Sequence, residues 1–464
     1  MDPTYSPFHW VIALSLAGLV SYSFITNALR PHSSRLRYLP GPEDQQLLVG
    51  HALRILRGAG PNDLYLQWMR RWPYAPFVRC LSWLNQEVLL VNNLEACREV
   101  LQTNAYLFAK PGFFHTLVGE FLGVGLLFSV GDQHKRLRRI IAVEDLITRV
   151  TLDIIGVSLL GKELRDFRSR SSSLSFERCY NDILAQPLAG QIISFINPFI
   201  PLRWLPLSAN LNFIRAKAAL KTMMAELIEQ RTAEVEAASG DELSDDLLTR
   251  MIEASAEERQ RLSKDELIDI TMQVIAAGHE TTASALVWTA YALGKNPASQ
   301  DRLRKEIQSL DTNDISAKAI DELPFLENVI RESLRLYSPT LIIPWEAQTD
   351  MTIAGVDIPQ GTTVQIVPAM IQLNPEIWGD DVETFRPERW EGAAPCPYAM
   401  ETFSNGPRMC PGKALAMLNM KVLLLGMVRD FEMEALGNVE MRNPSLTLKA
   451  KKPILFKVRR VNGR

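Results

Sequence analysis

The run FSNGPRMCPG (residues 403–412) offers Cys410 from a loop pinned by glycine and proline, directly ahead of an apolar stretch, 413–428, that reads as a helix. A thiolate in that place can ligate haem iron and push electron density onto it, which favours O–O bond cleavage. Gly406 can take the positive φ that a tight loop needs, and Gly412 lets the chain pass close to a flat macrocycle. The helix start that follows presents unpaired N–H groups and a positive dipole end, which lower a thiol's pKa and keep the sulfur anionic. Arg408 can fork onto a haem propionate, a bidentate pairing that lysine makes poorly. Taken alone, a single cysteine is as readily a small buried hydrophobe.

A second set sits at AGHETT (277–282), inside a proline-free helical pattern over 264–293. Ala277 and Thr281 are four apart and share a helix face; the small Ala277 and Gly278 leave room beside it for a diatomic molecule, with Thr281 the hydroxyl aimed there. The other reading of such a threonine is that it bonds back to the preceding turn while Glu280 faces solvent. His279 reads as structural. In ESLR (332–335), Glu332 and Arg335 lie side by side at i, i+3 on a helix over 326–337. An isolated surface pair of this kind contributes only about 0–1 kcal/mol.

These residues must be positioned by a chain of 464 residues with a net charge of -3, a balance that points to no nucleic-acid partner. Its five cysteines, Cys80, Cys97, Cys179, Cys396 and Cys410, are scattered without a C-x-x-C pair, against a zinc site or a disulfide framework. Residues 3–29 carry no Asp, Glu, Lys or Arg, and 10–29 is apolar and long enough as a helix to cross a bilayer core of about 30 Å. Arg30, His32, Arg35 and Arg37 follow, so the positive-inside rule places the rest of the chain in the cytoplasm. A stiff LPGP turn (39–42) then separates this anchor from the body. The spacing predicts a helix over 63–71 and strands over 75–81 and 87–91. Apolar 108–130 reads equally as a pocket-lining loop or as core. Prolines at 187, 198, 201 and 206 break 181–207. An amphipathic helix over 214–237 and a charged connection over 238–263 lead into the 264–293 helix.

The pattern F-x-x-G-x-R-x-C-x-G is complete at 403–412 and resembles the haem-binding loop of the cytochrome P450 family. Thr281, Glu332, Arg389 and Cys410 stand in the family's order and spacing, and the likeness runs from the proline turn to the C-terminus. It implies a mainly α protein with a small β portion: a membrane anchor (1–30), a basic, proline-rich hinge (31–42) and one large catalytic domain (43–464). It implies haem b bound through Cys410, with Phe403, Gly406, Arg408 and Gly412 around it and His134 and Arg138 on its propionates. Glu280 and Thr281 would be an acid–alcohol pair delivering protons to the oxygen being activated. Arg389, in FRPERW (385–390), would complete a structural triad in which Glu332 lies between Arg335 and Arg389.

The implied reaction inserts one atom of O2 into a hydrophobic small molecule. Its electrons come from NADPH through a separate diflavin reductase or cytochrome b5, received on a basic face of Lys135, Arg136, Arg139 and Lys413. Residence at the endoplasmic reticulum is implied as well. The general texture resembles fungal members that tailor terpenoids, polyketides or alkaloids; fatty-acid or sterol hydroxylation is the other substrate class. Two departures stand out. In LIIPWEA (341–347), Trp345 occupies the place of an arginine or histidine that helps hold a propionate. Between Arg139 and the segment 148–156 only eight residues intervene where the family has one to two helices more, which leaves a non-catalytic or mis-spliced relic as the alternative to an enzyme.

Overall fold

The computed structural model describes residues 7–122, 127–129, 175–184, 188–197, 201–237, 246–257, 262–310, 316–392, 395–443, 447–452 and 454–461. His134, Arg138, the basic residues Lys135, Arg136 and Arg139, and the short stretch 140–147 all lie outside the described residues.

The fold is mainly helical, and its spine is the 32-residue helix Lys264–Lys295, about 48 Å long at 1.5 Å per residue. Ser263 starts it with a complete capping box: its side chain accepts from the Glu266 N–H, and the Glu266 carboxylate accepts from the Ser263 N–H. Pro297 follows its end and begins the next helix. The spine joins two cores. Ile268, Ile270 and Ile275 pack with Phe213, Leu220, Met224 and Leu227 of the helix Ser208–Ala237. Ala285, Ala290 and Leu293 pack with Leu326, Val329 and Leu334 of the helix Pro324–Leu336, and with Leu424 and Val428 of the helix Lys413–Asp430. Between the two cores no residue of 276–281 is fully buried, a stretch that covers AGHETT except its last residue, the buried Thr282.

Nine short strands complete the described structure. The main sheet runs β1 (Phe77–Leu81), β2 (Glu87–Val91), β7 (Thr363–Ile366), β4 (Ile343–Ala347), β3 (Phe108–Ala109). Only the β2–β7 pair is parallel, with Val88 opposite Thr363. Two antiparallel pairs stand apart, the hairpin of β5 (Met351–Ile353) with β6 (Val356–Ile358) and the pair of β8 (Phe431–Ala435) with β9 (Phe456–Arg460). One face of the sheet buries Phe77, Leu89, Val91, Trp345 and Val364 together with Leu36. The expected helix Asp63–Arg71 covers the other face with Tyr65, Trp68 and Met69 against Val78 and Leu90. The turn at 39–42 belongs to this assembly: the Arg79 N–H donates to Pro40 O at 2.8 Å, and a Cβ on Gly41 would lie 2.0 Å from Arg79 O. Only glycine permits that approach.

The expected membrane span is not shown. Its residues do form a helix, Pro7–Ser33, but among the described residues no helix is long and apolar enough to cross a membrane. The C-terminal half is interrupted by polar groups. Thr26 and Asn27 bond back to the carbonyls of Tyr22 and Ser23, each at 2.8 Å, and the Asn85 side-chain amide donates to Asn27 O at 2.9 Å. Those turns are tied to the protein body.

Candidate functional site

Cys410 is held by short-range geometry. Its N–H donates to Phe403 O at 2.8 Å, closing the loop on itself just before Gly412 caps the helix Lys413–Asp430. Gly406 has φ +69°, and a Cβ there would stand 2.3 Å from Leu101 O, so both conformation and space demand glycine. Gly412 differs. A Cβ there would meet only Cys410 Sγ, at 3.9 Å, so its bareness serves the face on which the sulfur lies rather than the packing of the fold. Phe403 packs into the core shared with the spine helix.

Behind the loop stands a brace that nothing in the sequence marks. Gln372 Nε2 donates to Leu334 O and Arg335 O, both at 3.0 Å, while its Oε1 accepts from Glu401 N–H at 2.9 Å and Thr402 Oγ1 at 3.0 Å. Asn405 Nδ2 donates to Glu401 Oε1 at 2.9 Å. Glu401 is fully buried, and its Oε2 has no hydrogen-bond partner. Burial pushes its pKa up to about 8, with Cys97 and Asn405 pulling it partway back. The sign for stability follows. The unfolded chain sheds this proton near pH 4.5 and the fold keeps it to about 8, so stability falls between those values by about 1.4 kcal/mol per pH unit and no further above. Glu401→Gln should remove that contribution, so denaturation midpoints measured from pH 5 to 8 should decline less steeply in the variant than in the unmodified protein.

The structure sets Glu332 between two arginines. Arg335 forks onto it at 2.9 and 2.8 Å, and Arg389 Nε reaches Oε1 at 3.3 Å. Trp390 Nε1 and the Arg386 N–H also donate to its oxygens, at 3.0 and 3.1 Å. Glu332 and Arg335 are fully buried, so this is not the surface pair that spacing alone suggests. Arg335 goes on to the carbonyls of Gln372 and Val382 at 2.9 and 2.7 Å. The cluster thus ties the helix Pro324–Leu336 to the segment 372–390 and, through Gln372, to the cysteine loop.

On the spine helix, Thr281 Oγ1 donates to Ala277 O at 2.5 Å, the back-bond that a mid-helix threonine forms readily. Glu280 does not bond Thr281; it is ion-paired with Lys449 from the C-terminal segment. His279 meets the Tyr180 ring edge-on at 6.0 Å. Burial first, and then the Glu280 carboxylate, raise the Tyr180 phenol above its ordinary range. The helix Gly112–Leu122 leans on the spine at Ala276 through Val118, Phe114 and Leu117, joined by Phe128. Leu127 N–H donates to Gln273 Oε1 at 3.1 Å. An apolar wall therefore stands one residue from Ala277.

The cationic side of the site comprises Arg408 and Lys110. Arg408 makes only long hydrogen bonds, to Ser129 O at 3.3 Å and Phe108 O at 3.4 Å, and its Nε is buried without a partner. Lys110 Nζ donates to Pro344 O at 3.1 Å and stands 3.6 Å from the centre of the Trp345 ring. Among the described residues, no carboxylate pairs with either cation.

These features fit a haem: a sulfur donor beside a face kept bare by Gly412, and two inward cations that, among the described residues, have no counter-ion and could meet an anionic edge. Among the described residues, no group of three or more His, Cys, Asp or Glu could hold a bare metal ion, so the sulfur suits a metal whose other ligands come with it.

Residues 140–458 match the family model described as "Cytochrome P450". The chain is 27% identical to "Cytochrome P450 monooxygenase 205" of Postia placenta, over 93% of this chain and 92% of that protein. It is 29% identical to "Cytochrome P450 monooxygenase sphH" of Aspergillus fumigatus, over 86% and 83%. It is 27% identical to "Cytochrome P450 monooxygenase FUM15" of Gibberella moniliformis, over 86% and 83%. The alignment with the Postia protein runs over 508 positions, more than the 464 residues of this chain, so that relative carries internal residues with no counterpart here.

Proposed function

Because the chain belongs to the cytochrome P450 family of haem-dependent monooxygenases, we propose that Cys410 is its axial thiolate and that it oxidises a hydrophobic small molecule in a tailoring step of fungal secondary metabolism. The observation that carries the assignment is the loop 403–412, which presents one sulfur beside a glycine whose missing side chain no packing requires. When bound there, haem supplies the activation of O2 and the insertion of one oxygen atom into the substrate.

The chain's own residues have separable tasks. Phe403 and Gly412 shape the surface against which the macrocycle lies, and Arg408 takes one of its carboxylates. Glu280, held by Lys449, collects protons from the solvent side. Thr281 Oγ1 hands them on from a turn where Ala277 and Gly278 leave room. The apolar wall of Phe114, Val118 and Phe128 excludes water and receives the substrate. Glu332, Arg335 and Arg389 act structurally, fastening the ligand loop to the core.

His134 and Arg138 belong to the same proposal as further propionate contacts, on the family likeness alone. So does electron supply from NADPH through a diflavin reductase docking near Lys413. Location at the cytoplasmic face of the endoplasmic reticulum is supported by the apolar side chains that the first helix exposes, among them Leu14, Phe24, Ile25 and Leu29. Arg30, Arg35 and Arg37 follow them.

The purified protein, reduced and exposed to carbon monoxide, should give the long-wavelength Soret band of a thiolate-ligated haem; failure to take up haem would overturn the proposal. Such failure is what the second reading, a non-catalytic relic, requires, and that reading is favoured by the internal residues a relative has and this chain lacks. Thr281→Ala should keep the band while product formed per NADPH consumed falls roughly tenfold or more, the difference appearing as hydrogen peroxide. Undiminished yield would remove Thr281 from proton delivery.

A further inference from the structure

Just beyond the end of the helix Pro7–Ser33, the turn at 39–42 walls a cavity of about 400 Å³ that the oxidation site does not use. Its lining includes Arg37, Arg71, Arg79, His51 and Glu43. Arg79 is already engaged: its Nε donates to Glu87 Oε1 at 2.5 Å, and a terminal nitrogen reaches Pro31 O at 3.3 Å. Arg37 makes one long bond, to His32 O at 3.4 Å. Arg71 lies 4.8 Å from the centre of the Trp72 ring, a stack that leaves the edges of a planar guanidinium open to a bidentate acceptor. Among the described residues, no carboxylate pairs with Arg37 or Arg71.

On the floor of the cavity, His51 is 1% exposed. Its Nδ1 accepts the Leu81 N–H at 3.0 Å, so the neutral ring carries its proton on Nε2. That nitrogen is buried without a hydrogen-bond partner, 3.6 Å from the Asp44 carboxylate, which is itself paired with Arg54. The cavity is preformed, because the Arg79 N–H holds Pro40 O at 2.8 Å and Gly41 packs directly on Arg79 O. It is also fixed relative to an apolar surface. Asn85 Nδ2 to Asn27 O at 2.9 Å and Arg79 to Pro31 O tie the first helix to the same body, and Phe24, Ile25 and Leu29 on that helix are each about half exposed. A membrane that receives those side chains therefore sets its phosphates beside the two unpaired arginines. Apolar contact alone gives reversible attachment, and an electrostatic second signal makes it durable.

We propose that this hinge cavity is a binding site for the headgroup of an anionic membrane phospholipid, whose phosphate Arg37 and Arg71 fork and the His51 N–H reaches. Glu43, exposed among the lining residues, offsets one positive charge, so the cavity suits a single phosphodiester rather than a polyphosphate. The inference rests on the membrane location proposed above for the source of the phosphate, and not on the haem chemistry.

Co-sedimentation of the whole chain with phosphatidylcholine vesicles, with and without phosphatidylinositol, tests it. The unmodified protein should prefer the mixed vesicles and keep that preference at about 1 M salt, where exposed charges are screened within roughly 3 Å. Arg37→Gln combined with Arg71→Gln should lower affinity for the mixed vesicles roughly tenfold or more in that salt, the scale of a lost charge-assisted hydrogen bond, and leave binding to phosphatidylcholine alone unchanged. Arg30→Gln combined with Arg35→Gln removes the same charge outside the cavity and should have no effect in that salt. The long-wavelength carbon-monoxide band should persist in every variant, which separates loss of the site from misfolding. Equal losses from the two pairs would overturn the site in favour of diffuse surface attraction. Stabilisation by inorganic phosphate that depends on Arg37 and Arg71, with no preference between vesicles, would overturn lipid as the ligand. Failure to bind any vesicle would sink the membrane location as well, and leave the haem-thiolate proposal untouched.

Discussion

Cys410→Ser is expected to abolish the long-wavelength carbon-monoxide band and, with it, product formation, while leaving the fold intact. The substitution exchanges one atom in a loop whose shape depends on other things: the Cys410 N–H to Phe403 O bond at 2.8 Å, the positive φ of Gly406 and the Gln372 brace. None of these needs sulfur. What sulfur supplies is a polarisable anion, and a serine hydroxyl remains protonated at neutral pH and pushes no comparable charge onto a metal. The expected loss of turnover is therefore at the limit of measurement, with far-ultraviolet circular dichroism and the denaturation midpoint little changed. Retention of the thiolate-type band in the variant would remove Cys410 from the metal.

Glu332→Ala should be as damaging by a different route, through stability. It strips the shared acceptor from Arg335, Arg389 and Trp390 at once. A buried charge that loses its partner costs about 3–5 kcal/mol, a large share of the roughly 5–15 kcal/mol that holds a folded protein together. The expected result is little soluble protein able to take up haem, and a large fall in the midpoint of chemical denaturation for whatever is recovered. Glu332→Gln should fare only partly better, because one amide cannot answer two guanidinium groups. Normal expression and haem content in Glu332→Ala would show that the triad is dispensable.

How much of this was legible beforehand depended on whether the signal was local. The spine helix could be read from residues 264–293 because it has no proline, and the structure extends it only to Lys295. The strands at 77–81 and 87–91 were visible as β-branched and apolar runs. The cysteine loop was legible because its constraints, two glycines and a helix start, lie within ten residues. Burial of Glu332 was not, since i, i+3 spacing is the same on a wet surface as in a core; only the return of Arg389 and Trp390 to the helix Pro324–Leu336 makes it interior. The pairing of Glu280 with Lys449 and the meeting of Lys110 with Trp345 depend on strand register and on chain returns of more than a hundred residues, which no window of sequence encodes. Glu401 gave no sign at all. The membrane span is not shown among the described residues, and an apolar count does not register that Asn85 ties the end of the helix to the body.

The one parallel pairing of the main sheet, with Val88 opposite Thr363, has a bearing on biosynthesis. The first hairpin leaves the ribosome early but cannot acquire its neighbour until most of the chain has been made, and such distant pairing is slow. Until then the far edge of β2 is an open strand, a surface for holding chaperones and for wrong partners. The Cys410 loop is translated later still, so cofactor capture becomes the closing act of assembly, and cells short of porphyrin should accumulate chains that have their sheet but not their centre.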